Sequence, residues 1–413
     1  MRAFGPDSPW RLDPTIAFLN HGSFGACPEP VLAIQRAILD ELEANPMRIL
    51  EHEFLPRLDA ARAEVAAFLN ADPEGTVVVP NATVGVATVL GALRFRPGDE
   101  IITTDHEYNA CLNALQQEAD EARARVVRVP IALPIRDPAE VTEAILAAVT
   151  PRTRLALVSH VTSTTGIVFP IEDIVRELDR LGVDTLVDAA HAPGMLPLDV
   201  EALGAAYWTA NCHKWLCGPK VSGVLVVRED RRGRIRPLVT SHGANDPRTD
   251  RPVLWRLFDW QGTRDPSPFW AVPAAIRLLD GLHPEGFAGL MAENRAAAIR
   301  GRRRLLDAIG GEPIVPESML GSMAAVAIPG IGTDAEALAL RDQLATEDRI
   351  EVPVSPWPVR AARDDPADPP QRAFLRISCQ RYVEDADVER LVDALERRGL
   401  ASGSRGRSAI VSA

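Results

Sequence analysis

Lysine is nearly absent from this 413-residue chain: of its 45 Lys+Arg residues only Lys214 and Lys220 are lysine. A lysine kept in so arginine-dependent a sequence points to chemistry a guanidinium cannot do, because an amine loses its proton on burial and condenses with carbonyls. Paired cysteines are missing too. The five cysteines include no Cys-x-x-Cys pair, which excludes a disulfide framework and suits a reducing compartment. No run approaches the roughly 20 apolar residues of a membrane helix, and the opening MRAFGPDSPWRLDPT is broken by proline and aspartate and has no signal-peptide core. Positive charge is in deficit, 45 Lys+Arg against 57 Asp+Glu for a net −12, which argues against neutralising nucleic-acid phosphates. The arginine-rich stretches Arg231 to Arg236 and Arg300 to Arg304 carry acidic or apolar neighbours and read as solvated faces. Nucleic acid, membrane and secretion are set aside, and a cytoplasmic protein is expected.

The length and a hydrophobic content of 46% suit two or three globular units at roughly 150 residues each. Short β-branched runs alternate with amphipathic stretches from about residue 56 to 230. Strands are predicted at Thr76–Pro80, Glu100–Asp105, Arg125–Ile131, Arg154–His160, Asp184–Asp188 and Gly223–Glu229. Between them, Val141, Ile145, Leu146 and Val149 share a helix face, as do Ile171, Ile174, Val175 and Leu178 before a stop at Gly182. This alternation predicts an α/β unit with a mostly parallel sheet covered on both faces. After about residue 270 helical patterns dominate, interleaved with strand-like Met323–Ile328, Ile350–Val354 and Phe374–Ser378, and a last helix carries Val388, Leu391, Val392 and Leu395. The expected division is an N-terminal segment 1–55 at the domain boundary, its helix bearing Val31, Ile34, Ile38 and Leu42, then a large α/β domain 56–270, a small α+β domain 271–401, and a disordered tail 402–413 rich in Ser, Gly and Arg. No internal repeat is present.

In an open parallel sheet, ligands collect beyond the carboxyl ends of the strands. Strand 76–80 runs into Asn81-Ala82-Thr83, a helix start suited to a phosphate, although Asn81 also serves as a plain N-cap. Strand 100–105 leads to Asp105-His106-Glu107-Tyr108, and strand 154–160 to a hydroxyl-rich turn containing Ser163. Strand 184–188 closes on Asp188, an acid that is costly there without a partner, followed by His191. Further on, Asn211-Cys212-His213-Lys214-Trp215 precedes a Gly-Pro turn.

Taken in order, a strand-end Asp followed by His, then His-Lys-Trp, together with Asn20-His21-Gly22-Ser23-Phe24-Gly25, Gly262-Thr263-Arg264-Asp265 and Leu375-Arg376-Ile377-Ser378, resembles the class V aminotransferase group of pyridoxal 5′-phosphate (PLP) enzymes, which have the fold-type-I architecture. The likeness spans most of the chain. Leu-Asp-Pro-Thr at 12–15 and Asn-Cys-His-Lys-Trp-Leu are most similar to the isopenicillin N epimerase branch and its relatives, many of them in secondary metabolism.

The resemblance implies that Lys214 forms the Schiff base and moves protons, and that Asp188 pairs with the pyridine nitrogen. Two unit charges about 4 Å apart at an effective dielectric of about 20 attract by ~4 kcal/mol, roughly three pKa units, enough to keep that nitrogen protonated. It further implies that the phosphate rests on Ala82 and Thr83 with His213 as a donor and Asn211 in place of the hydroxyl residue of other members. By the same resemblance Thr263 is expected to reach the phosphate of a neighbouring subunit, which implies a homodimer with a shared active site. His106 stacks on the ring, with Tyr108 as the fallback. His191 and Ser163 face the phenolic oxygen, Arg376 clamps the substrate α-carboxylate, and Asn20 and His21 line the substrate side. No metal site is expected.

Cofactor identity does not fix the reaction. A cysteine desulfurase needs a mobile Cys shortly before the substrate arginine, and residues 341 to 375 contain none. Epimerisation or racemisation at Cα needs proton delivery on both faces, from Lys214 and from an acid such as His21 or Tyr108. β-Elimination from an S-conjugated cysteine needs Lys214 alone. Aminotransfer ranks third, and a binding module without turnover last. The stretch Asp364–Pro370 reads equally as a lid over the substrate or an inert loop.

Overall fold

A computed structural model describes residues 8–401 except Pro366 and Pro369; the tail expected at 402–413 lies outside the described residues. In chain order the strands are β1 (Ala17–Phe18), β2 (Thr76–Val79), β3 (Glu100–Thr104), β4 (Arg125–Val129), β5 (Thr153–Ser159), β6 (Asp184–Asp188), β7 (Tyr207–Asn211), β8 (Gly223–Val227), β9 (Met323–Ile328), β10 (Ile350–Glu351), β11 (Val354–Trp357) and β12 (Arg372–Ser378). Seven form one sheet in the order β2-β8-β7-β6-β5-β3-β4. β8 runs antiparallel to both neighbours, and the remaining pairings are parallel. The ends of β2, β3, β5, β6 and β7 therefore open on one edge.

Side chains along each strand alternate between two cores, as the pleat requires. Val77, Val79, Leu155 and Leu157 meet the helices Ala82–Ala92 and Asn109–Ala122. Val78, Ala156 and Val158 meet Phe54–Leu69, Ala139–Ala147 and Ile171–Arg180. The last of these helices ends before Gly182, at φ +73, a backbone conformation suited to glycine. Every predicted strand of this sheet is present within two residues of its expected ends. β7 is the one sequence reasoning missed: it lies between β6 and β8 and is buried on both faces, so no polar alternation marks it, and the Thr209 hydroxyl is satisfied by the Val224 carbonyl at 2.8 Å.

Downstream, β11-β12-β9 form a small antiparallel sheet. The single strand expected at Ile350–Val354 is split, because Pro353 has no N–H for the ladder. β10 pairs with β1, tying the N-terminal segment to this region, while the helix Glu29–Ala44 buries Val31 and Leu42 and leaves Ile34 exposed. The helix Asp334–Thr346 was not anticipated, although its capping box of Thr333 and Glu336 is legible in the sequence. The arginine-rich stretches are ion-paired rather than merely solvated: Arg231 meets Asp184, Arg303 meets Glu317 and Arg304 meets Glu389, while Arg302 is buried and donates to the Val315 carbonyl. Among the described residues no helix is long and apolar enough to cross a membrane.

Candidate active site

The lysine loop leaves β7 at Asn211 and is cross-braced: Cys212 N–H donates to the Ser222 carbonyl at 2.9 Å and Cys217 N–H to the Lys214 carbonyl at 2.9 Å. Gly25 closes against it at φ +49, and a Cβ there would sit 2.8 Å from the Lys214 carbonyl oxygen, so only glycine lets the Asn20–Gly25 turn approach. Lys214 Nζ lies 3.0 Å from His191 Nε2. Burial lowers its pKa from 10.5 to about 7, with the Asp188 charge opposing and Arg376 assisting.

Asp188 ends β6 beside Ser159, its register partner on β5. One carboxylate oxygen accepts Ala190 N–H at 2.9 Å and the other the Cys111 thiol at 3.3 Å. Glu107 sits beneath it, and ligand atoms of Glu107, Cys111 and Asp188 all lie within 4.8 Å of one another. Glu107 accepts from Ser159 Oγ at 2.9 Å and from Tyr108 N–H at 2.7 Å, while its second oxygen is buried without a partner. Burial raises both acids, and the Asp188 charge raises Glu107 further, because two carboxylates this close do not both ionise. Sequence reasoning gave Glu107 and Cys111 no role. They lie four residues apart, a spacing that brings side chains together at a helix start.

Asn211, Ala82, Thr83 and His213 meet at the start of the helix Ala82–Ala92 and line a cavity of about 160 Å³ with Lys214, Asp188 and His191. Asn81 caps the helix through Val84 N–H at 2.9 Å. The Ala82 N–H expected to hold phosphate is already bound, donating to Asn211 Oδ1 at 2.9 Å. That contact turns the Asn211 amide donor loose, and the Thr83 N–H has no intrahelical acceptor. His213 donates Nδ1–H to the Ser222 carbonyl at 3.1 Å, and because burial lowers its pKa to about 4 the neutral ring keeps only a lone pair on Nε2, so it is not the phosphate donor the resemblance implied.

Ser163 and Tyr108 line this cavity and a wider one of about 540 Å³ that opens outward from it. Arg376, on β12, lines the wider cavity and is 4% exposed. Its partners among the described residues are uncharged: the Ser163 carbonyl, Ser23 Oγ at 3.2 Å and Asn20 Oδ1 at 3.4 Å, and its Nε has none. Burial lowers its pKa to about 10. A buried guanidinium without a counter-ion is costly, and its cavity-facing side suits a carboxylate.

Three expectations are corrected by this geometry. His106 does not reach the cavity: it is buried with Nδ1 2.9 Å from Thr165 Oγ1 and Nε2 3.3 Å from the Ile131 carbonyl, packed against Trp357 and Phe169. Tyr108, 45% exposed, is the ring on the cavity. Strand alternation would put 106 and 108 on one side; they point differently because both lie in the irregular turn beyond β3. His21 is likewise walled off from the substrate side. It bonds Tyr382 Oη at 2.6 Å and the Lys214 carbonyl at 3.0 Å and packs on Trp215, bracing the lysine loop. Asn20 supports Arg376 from behind rather than lining a cavity. Thr263 is exposed and does not line its own chain's cavity. The described part of 364–370 lines a different cavity of about 320 Å³ with Asp105 and Arg128, where Arg363 holds Asp334 and the Asp368 carbonyl.

The donor set fits PLP: a low-pKa amine for the aldehyde, a carboxylate for the ring nitrogen, and a free backbone N–H and a side-chain amide for a phosphate. The Aminotransferase class-V family model matches residues 25–391. The chain is 36% identical to an isopenicillin N epimerase of Amycolatopsis lactamdurans over 93% of this chain and 96% of that one. It is 29% identical to a probable chloroplastic L-cysteine desulfhydrase of Arabidopsis thaliana over 93% and 83%. In fold it is similar to the Escherichia coli cysteine desulfurase CsdA, with a TM-score of 0.77 at 21% identity, covering 94% of this chain and 96% of that one. The chain therefore belongs to the class-V aminotransferase family, the fold-type-I enzymes of pyridoxal phosphate.

Proposed function

We propose that this enzyme breaks the Cα–H bond of an amino-acid substrate and returns the proton to the opposite face, an epimerisation or racemisation. The observation that carries the substrate class is Arg376, a buried cation with uncharged partners at the wall of the wider cavity; an α-carboxylate is the anion it lacks. PLP supplies the electron sink for the pair left at Cα. Lys214 would take and move the proton on one face as a neutral amine, Asp188 would hold the ring nitrogen, and the Thr83 N–H and the Asn211 amide would hold the phosphate. His191 and Ser163, which line the same cavity, would be placed toward the cofactor's phenolic oxygen. With His21 off the cavity, Tyr108 is the remaining candidate of the two for the second-face acid. Burial raises its pKa, so it keeps its proton at neutral pH. The likeness to isopenicillin N epimerase favours this reading.

A second reading rests on the same exclusion. With one of two anticipated acids off the site, β-elimination from an S-conjugated cysteine needs only Lys214, and the cavity of about 540 Å³ accommodates a departing thiol. The desulfhydrase relatives favour it. Incubation with L-amino acids and S-substituted cysteines in deuterated water separates the two. D-product carrying deuterium at Cα, lost in Tyr108→Phe while Cα exchange persists, supports epimerisation; pyruvate, ammonia and thiol without D-product overturn it in favour of the lyase.

We also propose a homodimer in which Thr263 of one protomer completes the other's phosphate site. Sedimentation reads the state directly, and Thr263→Ala should weaken cofactor retention without changing mass; a monomer overturns this arrangement.

A further inference from the structure

Behind Lys214, the ring of His191 is held between two nitrogen donors. Trp215 Nε1 lies 3.4 Å from His191 Nδ1, and Lys214 Nζ lies 3.0 Å from His191 Nε2. An indole nitrogen only donates. His191 Nδ1 must therefore present its lone pair to the indole, and in a neutral ring the proton then sits on Nε2. That proton points at Lys214 Nζ. An ammonium has no lone pair to receive it, so the arrangement is self-consistent only with a neutral amine.

We propose that Trp215 is a positioning residue for the lysine: by bonding His191 Nδ1 it locks the Nε2–H tautomer, and that tautomer keeps Lys214 neutral and aimed into the cavity. The indole is fixed for this task. Trp215 is buried, packs with Val161, Met195 and Met323, and lies 4.8 Å from the His21 ring. Gly194, at φ +80, lets the His191 turn close on it, since a Cβ there would meet the Trp215 carbonyl carbon at 2.6 Å. The surroundings agree. The charged and titratable groups acting on His191 are Lys214, Arg376 and His21; burial first, and the Arg376 charge with it, hold the imidazole well below its ordinary pKa, in keeping with a singly protonated ring even when Lys214 and His21 are neutral. Asp188, which opposes the loss of charge at Lys214, is offset there by burial and Arg376. If the indole is removed, the ring is free to turn its lone pair toward Lys214 and accept from the ammonium, so the amine should become more basic.

The inference rests on the reading of Lys214 as the cofactor lysine, and the test separates the two. In the full-length protein labelled with ¹⁵N-histidine, long-range ¹H–¹⁵N correlation spectra, assigned by His191→Gln, report which ring nitrogen carries the proton. The wild type should show Nε2–H, and Trp215→Phe a mixture or Nδ1–H. In parallel, the rate of covalent uptake of PLP against pH should have its midpoint raised by about one unit in Trp215→Phe, roughly tenfold less neutral amine at a given pH. In a His191→Gln background the Trp215→Phe change should shift nothing further. A wild-type Nδ1–H ring, an unchanged uptake profile, or a shift that persists without His191 overturns the proposal, the last because the indole would then act through packing alone. Absence of uptake in the wild type, with Nε2–H observed, would overturn the cofactor reading and leave the tautomer lock standing.

Discussion

Arg62 and Arg376 are both buried arginines, and their surroundings differ. Arg62, on the helix Phe54–Leu69, sits among charges of opposite sign: it meets Asp259, lies 3.3 Å from Asp59, and stacks with its guanidinium carbon 3.9 Å from the Trp255 ring centre. Arg251 bridges the same two acids. Arg376 has a carbonyl, a hydroxyl and an amide oxygen instead. The fold satisfies the first charge from within and leaves the second to be satisfied from outside. Lys214 meets the same lack of a neighbouring anion at hydrogen-bond distance by giving up its proton, since its hydrogen-bonding neighbour is a neutral imidazole and burial lowers its pKa to about 7. Charge left uncompensated inside a closed network of compensated charges is thus a physical mark of the site.

Removing one arginine of each kind should give opposite outcomes. Arg62→Ala leaves buried Asp259 and half-buried Asp59 to Arg251 alone and should cost about 3 kcal/mol of folding stability, the low end for breaking a buried pair, read by urea denaturation, with the activity of the remaining folded fraction kept. Arg376→Ala should leave stability unchanged or raised and lower kcat/KM by about 30-fold or more, the ~2 kcal/mol lower bound for truncating a buried charge contact. Equal destabilisation by the two variants would break the distinction between internal and external partners.

The same distinction explains how much was legible in sequence. The sheet was, because apolar strands separated by amphipathic helices announce themselves, and the strand-end motifs singled out Asp188 and Lys214, which line one cavity; Arg376, inside β12 and lining the wider cavity, was reached only through the family resemblance. Which side chain of a motif faces the cavity was not. His106 and Tyr108 lie two residues apart in a turn, and only the packing of Trp357 and Phe169 around the imidazole decides that the tyrosine turns outward. His21 failed for a related reason: its partner Tyr382 lies 361 residues away, and no local pattern records that contact. Glu107 carried no signal of its own, since its meaning lies in standing beneath Asp188.

Lys214 and Glu107 should tilt the pH dependence of stability in opposite directions. Lys214 has a folded pKa depressed from 10.5 to about 7. Between those values the unfolded chain binds a proton that the folded chain does not, so stability rises with pH across that window and levels off below about 7, where both states hold the proton. Lys214→Met removes the titrating group with a side chain of similar length. The slope of unfolding free energy against pH from about 7 to 10 should flatten in this variant, and an unchanged slope would mean that Lys214 keeps its proton in the fold.

Glu107 is the smaller and opposite effect. Its pKa is raised above 4.5 by burial and by Asp188, so the folded chain holds a proton that the unfolded chain releases. Its contribution is present below pH 4.5 and is lost as pH rises toward the folded value. Glutamine copies the protonated acid in shape and keeps an acceptor for Ser159 and for Tyr108 N–H. Glu107→Gln should match the wild type near pH 5 and exceed it as pH rises toward neutrality, a divergence read by denaturant titration across that range. Parallel curves would place the proton shared beneath the ring on Asp188 instead, and the pair would then lack the free carboxylate that the cofactor's ring nitrogen is to meet.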